Sequence, residues 1–215
     1  MTQLRSWGFA MARMSSADRR SALLQAALRV IADQGMTGAT TRAIVAEAGM
    51  PLASFHYAFV SRDEMMSELI SFVLENESLA VFQSFALGND VRSIIRDALY
   101  VYLHTVEADP SHERVMLELQ QYAQRTPGLE HLAREQYERY RTVVGGLLRT
   151  GAEHAGVQWT LPVDDVARLV VTITDGITFG WLADRDSAAA GRVIEFAADS
   201  LSTLAVPVRT KEHTA

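Results

Sequence analysis

Apolar positions along this chain recur almost everywhere at helical spacing. Between Ser16 and Gln34 the residues Leu23, Ala26, Ala27, Val30 and Ile31 form one stripe, and Gly35 ends it. Thr40 or Thr41 then caps a short helix whose apolar members Ile44, Val45 and Ala48 share a side. Gly49 stops that helix, because glycine reaches left-handed dihedrals without a Cβ penalty. Pro51 pre-sets φ for a second short helix, 51–58, with Phe55 and Phe59 as its inward pair. Ser61-Arg62-Asp63-Glu64 reads as a capping box, with Val60 and Met65 placed as a hydrophobic staple, so a longer helix starts there. The pattern continues as helices over 62–85, 90–108, 111–125, 129–154, 163–184 and 187–204, broken at 87–89, 109–110, 126–128, 156–162 and 185–186. No period-two stretch predicts a strand in that part of the chain.

Two helices joined by a tight glycine-containing turn form a helix-turn-helix, which lays its second helix in a DNA major groove. The residues that build it here are Thr40-Thr41-Arg42, Ala48-Gly49, Phe55-His56-Tyr57 and Phe59-Val60-Ser61-Arg62-Asp63-Glu64. This stretch resembles the DNA-binding domain of the tetracycline-repressor (TetR) family of bacterial transcription regulators. The resemblance implies an all-α, nine-helix architecture with a helix-turn-helix head and a helical body for ligand binding and dimerisation. The expected division is a mobile extension 1–15, the head 16–61, the body 62–205 and a tail 206–215.

Geometry then nominates the DNA contacts. Thr40, Thr41 and Arg42 stand at a helix amino-terminus, where free N–H groups and hydroxyls meet phosphate. On the second helix Leu52, Ala53, Ser54, His56 and Tyr57 lie opposite Phe55 and Phe59. The resemblance implies that His56 and Tyr57 press on the backbone and that Arg62 contacts phosphate. Some residues depart from the family's pattern. Pro51 replaces a capping serine, at a cost of about 1 kcal/mol. Leu52 and Ala53 are apolar and suited to thymine methyls, and Ala58 stands where histidine is common.

Charge sharpens this picture only after the chain is divided. The net charge of −6 alone argues against nucleic acid. Residues 1–65, however, hold seven arginines and five acidic residues, while the rest holds 13 basic and 21 acidic ones. A mildly basic head on an acidic body suits phosphate contact at one end. Arg5 and Arg13 could extend it as a basic arm. With 48% hydrophobic and 21% charged residues the chain is globular, and the absence of cysteine excludes disulfides, thiolate catalysis and Cys-based metal sites. The apolar run 7–12 is too short and glycine-broken for a signal or a membrane span, so a cytoplasmic protein with no membrane partner is expected.

The last two helices are the most apolar. Val166, Leu169, Val170, Ile173, Ile177 and Trp181 are followed by Val193, Phe196, Ala197, Leu201 and Leu204. They could be intrachain core. The resemblance implies instead a homodimer interface of two helices and their copies, with Ile173, Ile177, Gly180, Trp181, Phe196 and Leu201 in it. Polar and aromatic residues inside the body's helices are candidates for lining the cavity of an unidentified small-molecule effector: Tyr102, His104, Met116, Tyr122, Tyr140, Thr172, Asp175 and Phe179. Asp175 interrupts an apolar run, so its carboxylate must be hydrogen-bonded to a neighbouring helix, line the pocket or face solvent.

Catalysis finds no footing. His112-Glu113 begins like a zinc-protease motif, but the second histidine falls on Met116, and no metal, di-iron, phosphate-loop or nucleophile-elbow pattern exists. No cofactor is implied. A purely architectural DNA-binding protein would not need the large acidic body. The expected function is therefore a regulator of double-stranded operator DNA whose affinity falls when an effector binds. The helix starting at Ser61, packing near Phe72 and Leu79, would be the lever.

Overall fold

The computed structural model describes residues 14–76 and 90–208. The N-terminal extension through residue 13 with Arg5 and Arg13, the helix continuation over 77–85, Leu79, and the break at 87–89 lie outside the described residues.

Among the described residues nine helices form, in two compact units. The first unit comprises residues up to Glu77 together with Arg114–Ala133. It contains α1 (Ser16–Gly38), α2 (Thr41–Glu47), α3 (Leu52–Ala58), α4 (Arg62–Asn76) and most of α6 (Pro110–Arg125). Ser15 caps α1 by accepting from Asp18 N–H. Gly35 breaks its regular helix with φ 70°, where the sequence pattern stops. The predicted stripe Leu23, Ala26, Ala27, Val30 and Ile31 is buried against Ile44, Val45, Phe55, Phe59, Met65, Met66 and Leu69. Val115, Met116, Leu119, Ala123, Leu129 and Leu132 complete the same core. The first unit therefore keeps α4 and residues 114–133, which the sequence division at Ser61 assigns to the body. The physical reason is that their apolar faces are buried in this core.

The second unit holds α5 (Val91–Ala108), most of α7 (Glu130–Ala155), β1 (Val157–Trp159), α8 (Val163–Asp184), α9 (Ser187–Ser202) and β2 (Ala205–Pro207). Its core joins Ile95, Leu99, Leu103 and Val106 of α5 to Val144 and Leu148 of α7. Val166, Val171, Ile177 and Trp181 of α8 and Ile194, Ala197 and Leu201 of α9 complete it. The two strands correct the strand-free expectation. They pair antiparallel with Gln158 opposite Val206, after Gly156 ends α7 at φ 67°. A strand of three residues is too short to show alternation. By length and composition α8 is, among the described residues, the one helix apolar enough to cross a membrane; its buried stripe belongs to this core.

Candidate DNA-reading head and effector cavity

The turn between α2 and α3 follows from one backbone conformation. Thr40 caps α2 by accepting from Ala43 N–H at 3.2 Å. At the other end Gly49 N–H donates to Ala46 O and Met50 N–H to Val45 O, the paired bonds of a Schellman motif. Gly49 adopts φ 63°; a Cβ there would meet nothing, so dihedral strain and not space demands glycine. Pro51 precedes α3 without a side-chain cap, and Phe55 and Phe59 stack 5.5 Å apart beneath it.

The opposite face of α3 is open. Leu52, Ala53, His56 and Tyr57 are exposed, Tyr57 at 79%. Thr40 and Arg42 are exposed beside them and Thr41 is half-buried. Among the described residues no acidic side chain pairs with Arg42 within salt-bridge distance. Two sequence expectations need correction. Ser54 is 8% exposed, because it follows the buried side of α3 with Phe55 and Ala58. Arg62 is turned inward: its guanidinium donates to Ala39 O (3.2 Å), Met36 O (3.5 Å) and the Tyr122 hydroxyl (3.3 Å). It braces the segment before α2 and does not face outward.

Polar contacts fix the head around α3. Arg20 donates to Ala58 O at 2.5 Å, to Glu64 at 3.0 Å and to Glu68, with its guanidinium 4.4 Å from the Phe59 ring centre. The Glu68 carboxylate most of all, and then Glu64, hold the Arg20 proton more tightly than usual. Ser61 accepts from Glu64 N–H, and the Glu64 carboxylate returns to Val60 N–H at 2.6 Å. That bond first, and Arg20 second, hold the Glu64 carboxyl below its usual range. The capping box thus forms, with its return bond one residue early. The staple does not, since Val60 is 93% exposed while Met65 is buried. From α6, Glu118 accepts from Met36 N–H, and the Tyr122 hydroxyl donates to Asp63 at 2.9 Å. Burial, and then Asp63, push the Tyr122 phenol above its ordinary pKa.

The second unit holds a partly open cavity of about 50 Å³, or about 570 Å³ when the open space at its mouth is counted. Val91, Ile94, Ile95, Ala98, Leu99 and Tyr102 of α5 line it, with Val144, Leu147, Leu148, Gly151 and Ala152 of α7, Trp159 of β1, and Val170 and Thr174 of α8. Among the described residues no ionisable acid or base other than the Tyr102 phenol is in the wall. The Tyr102 hydroxyl is 2.6 Å from Thr178 Oγ1, and Thr174 donates to Val171 O. Of the eight predicted lining residues, Tyr102 alone is in this wall. Met116 and Tyr122 belong to the first unit, because α6 packs there. His104 is exposed and pairs with Glu107 at 3.0 Å. Thr172 and Phe179 are exposed, on the side of α8 away from the core. Tyr140 accepts from Gln136 at 2.8 Å, and Asp175 accepts from Tyr137 at 2.6 Å, the interhelical bond among its three readings. The lining residues Ile94, Leu99, Gly151 and Trp159 went unnamed in the sequence. Gly151, small and mid-helix, and Trp159, isolated between Gly156 and Pro162, were the available signals.

Three of the expected dimer residues are interior. Ile177, Trp181 and Leu201 are buried in their own unit's core, and the Trp181 indole donates to Ser187 Oγ at 3.0 Å. Ile173 is half-buried; Gly180 is exposed, as is Phe196 at 71%. With Leu169, Phe179 and Val193 they give α8 and α9 an exposed apolar face.

Two family descriptions match this chain. "Bacterial regulatory proteins, tetR family" matches residues 23–69, which span the helix-turn-helix. "BetI-type transcriptional repressor, C-terminal" matches residues 91–206, just over half of the chain. The chain belongs to the TetR family. It is a DNA-binding transcriptional repressor by that membership. This TetR-family chain is 29% identical over 172 residues to the nicotine-responsive transcriptional repressor HdnoR of Paenarthrobacter nicotinovorans, covering 80% of this chain and 88% of that protein. Its fold matches a TetR transcription regulator from Haloarcula marismortui at TM-score 0.71 and 18% identity, covering 88% of this chain and all of that one. A transcriptional regulator from Saccharomonospora viridis, in complex with choline, matches at TM-score 0.69 and 19% identity, covering 89% and 100%.

Proposed function

We propose that this repressor binds a two-fold symmetric operator as a homodimer and releases it when a small molecule enters the cavity of its second unit. The observation that carries this reading is the pairing of an open α3 face with a separate, apolar, glycine-lined cavity. Tyr57 and His56 press on the sugar-phosphate backbone, Leu52 and Ala53 meet thymine methyls, and Thr40, Thr41 and Arg42 hold phosphate. Support for an effector comes from the relative described as nicotine-responsive and the neighbour solved with choline. Support for the dimer comes from the exposed apolar face of α8 and α9, whose chemistry favours removal from water.

Two experiments test this. Duplexes selected from a random pool should converge on paired half-sites one helical turn, about 34–36 Å, apart. Against them Tyr57→Ala should weaken binding whatever the sequence, and Arg42→Ala should lower the salt slope by about one. Selection of no symmetric site, or unchanged affinity in both variants, would overturn the DNA reading. For the cavity, toluene should raise the melting temperature of the full chain, and Ala98→Phe should abolish that rise by filling the space. A rise that persists in Ala98→Phe places the apolar site elsewhere.

A further inference from the structure

Among the described residues the carboxylate of Asp175 has no countercharge. It stands half-buried on α8, and its hydrogen bond comes from the neutral Tyr137 hydroxyl of α7. Among the described residues no lysine, arginine or histidine pairs with it. Burial outweighs the Tyr137 bond and pushes its carboxyl above the usual range. An asparagine could accept the same bond without the desolvation cost of a charge. A structural role thus explains the hydrogen bond but not the charge.

What surrounds the carboxylate suits a cation. The Tyr137 ring, whose hydroxyl reaches the acid, meets that of Tyr140 at 66°, with centroids 6.1 Å apart, so a second aromatic ring adjoins the first. An ammonium near such faces is attracted by the ring quadrupoles as well as by the carboxylate. This corner lies farther along α7 and α8, two of the helices that line the cavity. A methyl placed on Gly145 would lie 3.7 Å from Val163, while Tyr137 meets Asp175, so α7 and α8 run in opposite directions. Val144 lines the cavity, and Tyr140 and Tyr137 are one and two turns before it, about 6 and 10 Å along α7. On α8, Thr174 lines the cavity and Asp175 follows it.

We propose that the effector is an organic monocation, its apolar body in the cavity and its ammonium head against Asp175, Tyr137 and Tyr140. This rests on the reading of the cavity as the effector site and adds the charge and span of what fills it. The ligand carries one positive charge about 6–10 Å from the centre of a small alkyl or aromatic group. Neutral hydrocarbons occupy the cavity more weakly, and carboxylates are repelled.

Calorimetric titration of the full-length protein with (4-phenylbutyl)trimethylammonium, whose four-carbon spacer gives the required span, and with its uncharged carbon isostere, (5,5-dimethylhexyl)benzene, tests this. The cation should bind at least about tenfold more tightly, the amount a desolvated cation–aromatic and ion-pair contact supplies. Asp175→Asn should reduce that preference several-fold and leave the isostere unchanged. Equal binding of the two probes to the unmodified protein overturns the cation seat while leaving the cavity reading intact, and needs no variant to fold. Failure of both probes to bind overturns the two together. A preference undiminished in Asp175→Asn overturns the role given to this carboxylate.

Discussion

Phe196→Asp is expected to yield a well-folded monomer whose operator affinity has fallen by more than about a hundredfold. The side chain is 71% exposed within its own chain, so a carboxylate there stays hydrated and costs the isolated fold little. Across a two-fold interface the same position would bury two carboxylates, at several kcal/mol each without a partner. Loss of the dimer removes the second half-site from reach, and the effective concentration supplied by the tether is lost with it. Phe179→Asp should act alike. Ile177→Asp is the contrasting variant: that residue is buried in its own core, so the chain should unfold, by more than about 4 kcal/mol. Sedimentation velocity and circular dichroism separate the two outcomes. A dimeric Phe196→Asp at micromolar concentration would remove the proposed interface.

The second large effect is expected where α6 grips the helix-turn-helix. Glu118→Ala combined with Tyr122→Phe should weaken operator binding by about ten- to a hundredfold, with the sedimentation coefficient unchanged. Glu118 satisfies Met36 N–H, and the Tyr122 hydroxyl satisfies Asp63 while accepting from Arg62. Arg62 in turn holds the carbonyls of Ala39 and Met36. These bonds fix the 36–39 segment that enters α2, and a part-buried group left without its partner costs about 1–3 kcal/mol. Once that segment is loose, α2 and α3 must be ordered again each time DNA is bound, which opposes binding. Fluorescence anisotropy against a selected operator reads the loss. Unchanged affinity would mean that α6 plays no part in positioning the head.

The DNA-reading head was legible because its signals are local. Thr40, Gly49 and Ser61 each specify a cap or turn within a few residues, and the apolar pairs between them leave one arrangement. Helix limits in the body were legible for the same reason: Gly, Pro and Asn-Asp punctuate them, as at Asp109-Pro110 and Arg185-Asp186. What could not be read was the allocation of faces. In α8, Ile173 and Ile177 differ little in sequence terms, yet one is half-buried and the other interior, because α5, α7 and α9 surround the helix unequally. Met116 and Tyr122 looked like pocket residues only while α6 was assigned to the body. Deciding otherwise requires knowing that Val115, Leu119 and Ala123 join the core of the first unit. Arg62 fits the phosphate position of the family's motif, and nothing within four residues reveals that Tyr122 will claim its guanidinium.

The first unit draws its core from two stretches of chain separated by residues 78–113, and this matters for the order in which the protein is made. Translation delivers α1 to α4, and with them every proposed DNA-facing side chain, well before it reaches α6. Val115, Met116, Leu119, Leu129 and Leu132 are still missing at that point, as are the Glu118 and Tyr122 bonds. A nascent head ending near residue 77 therefore exposes the apolar undersides of α1 and α4. The ribosome completes a DNA-reading head only after Ala133 of the 215 residues has emerged.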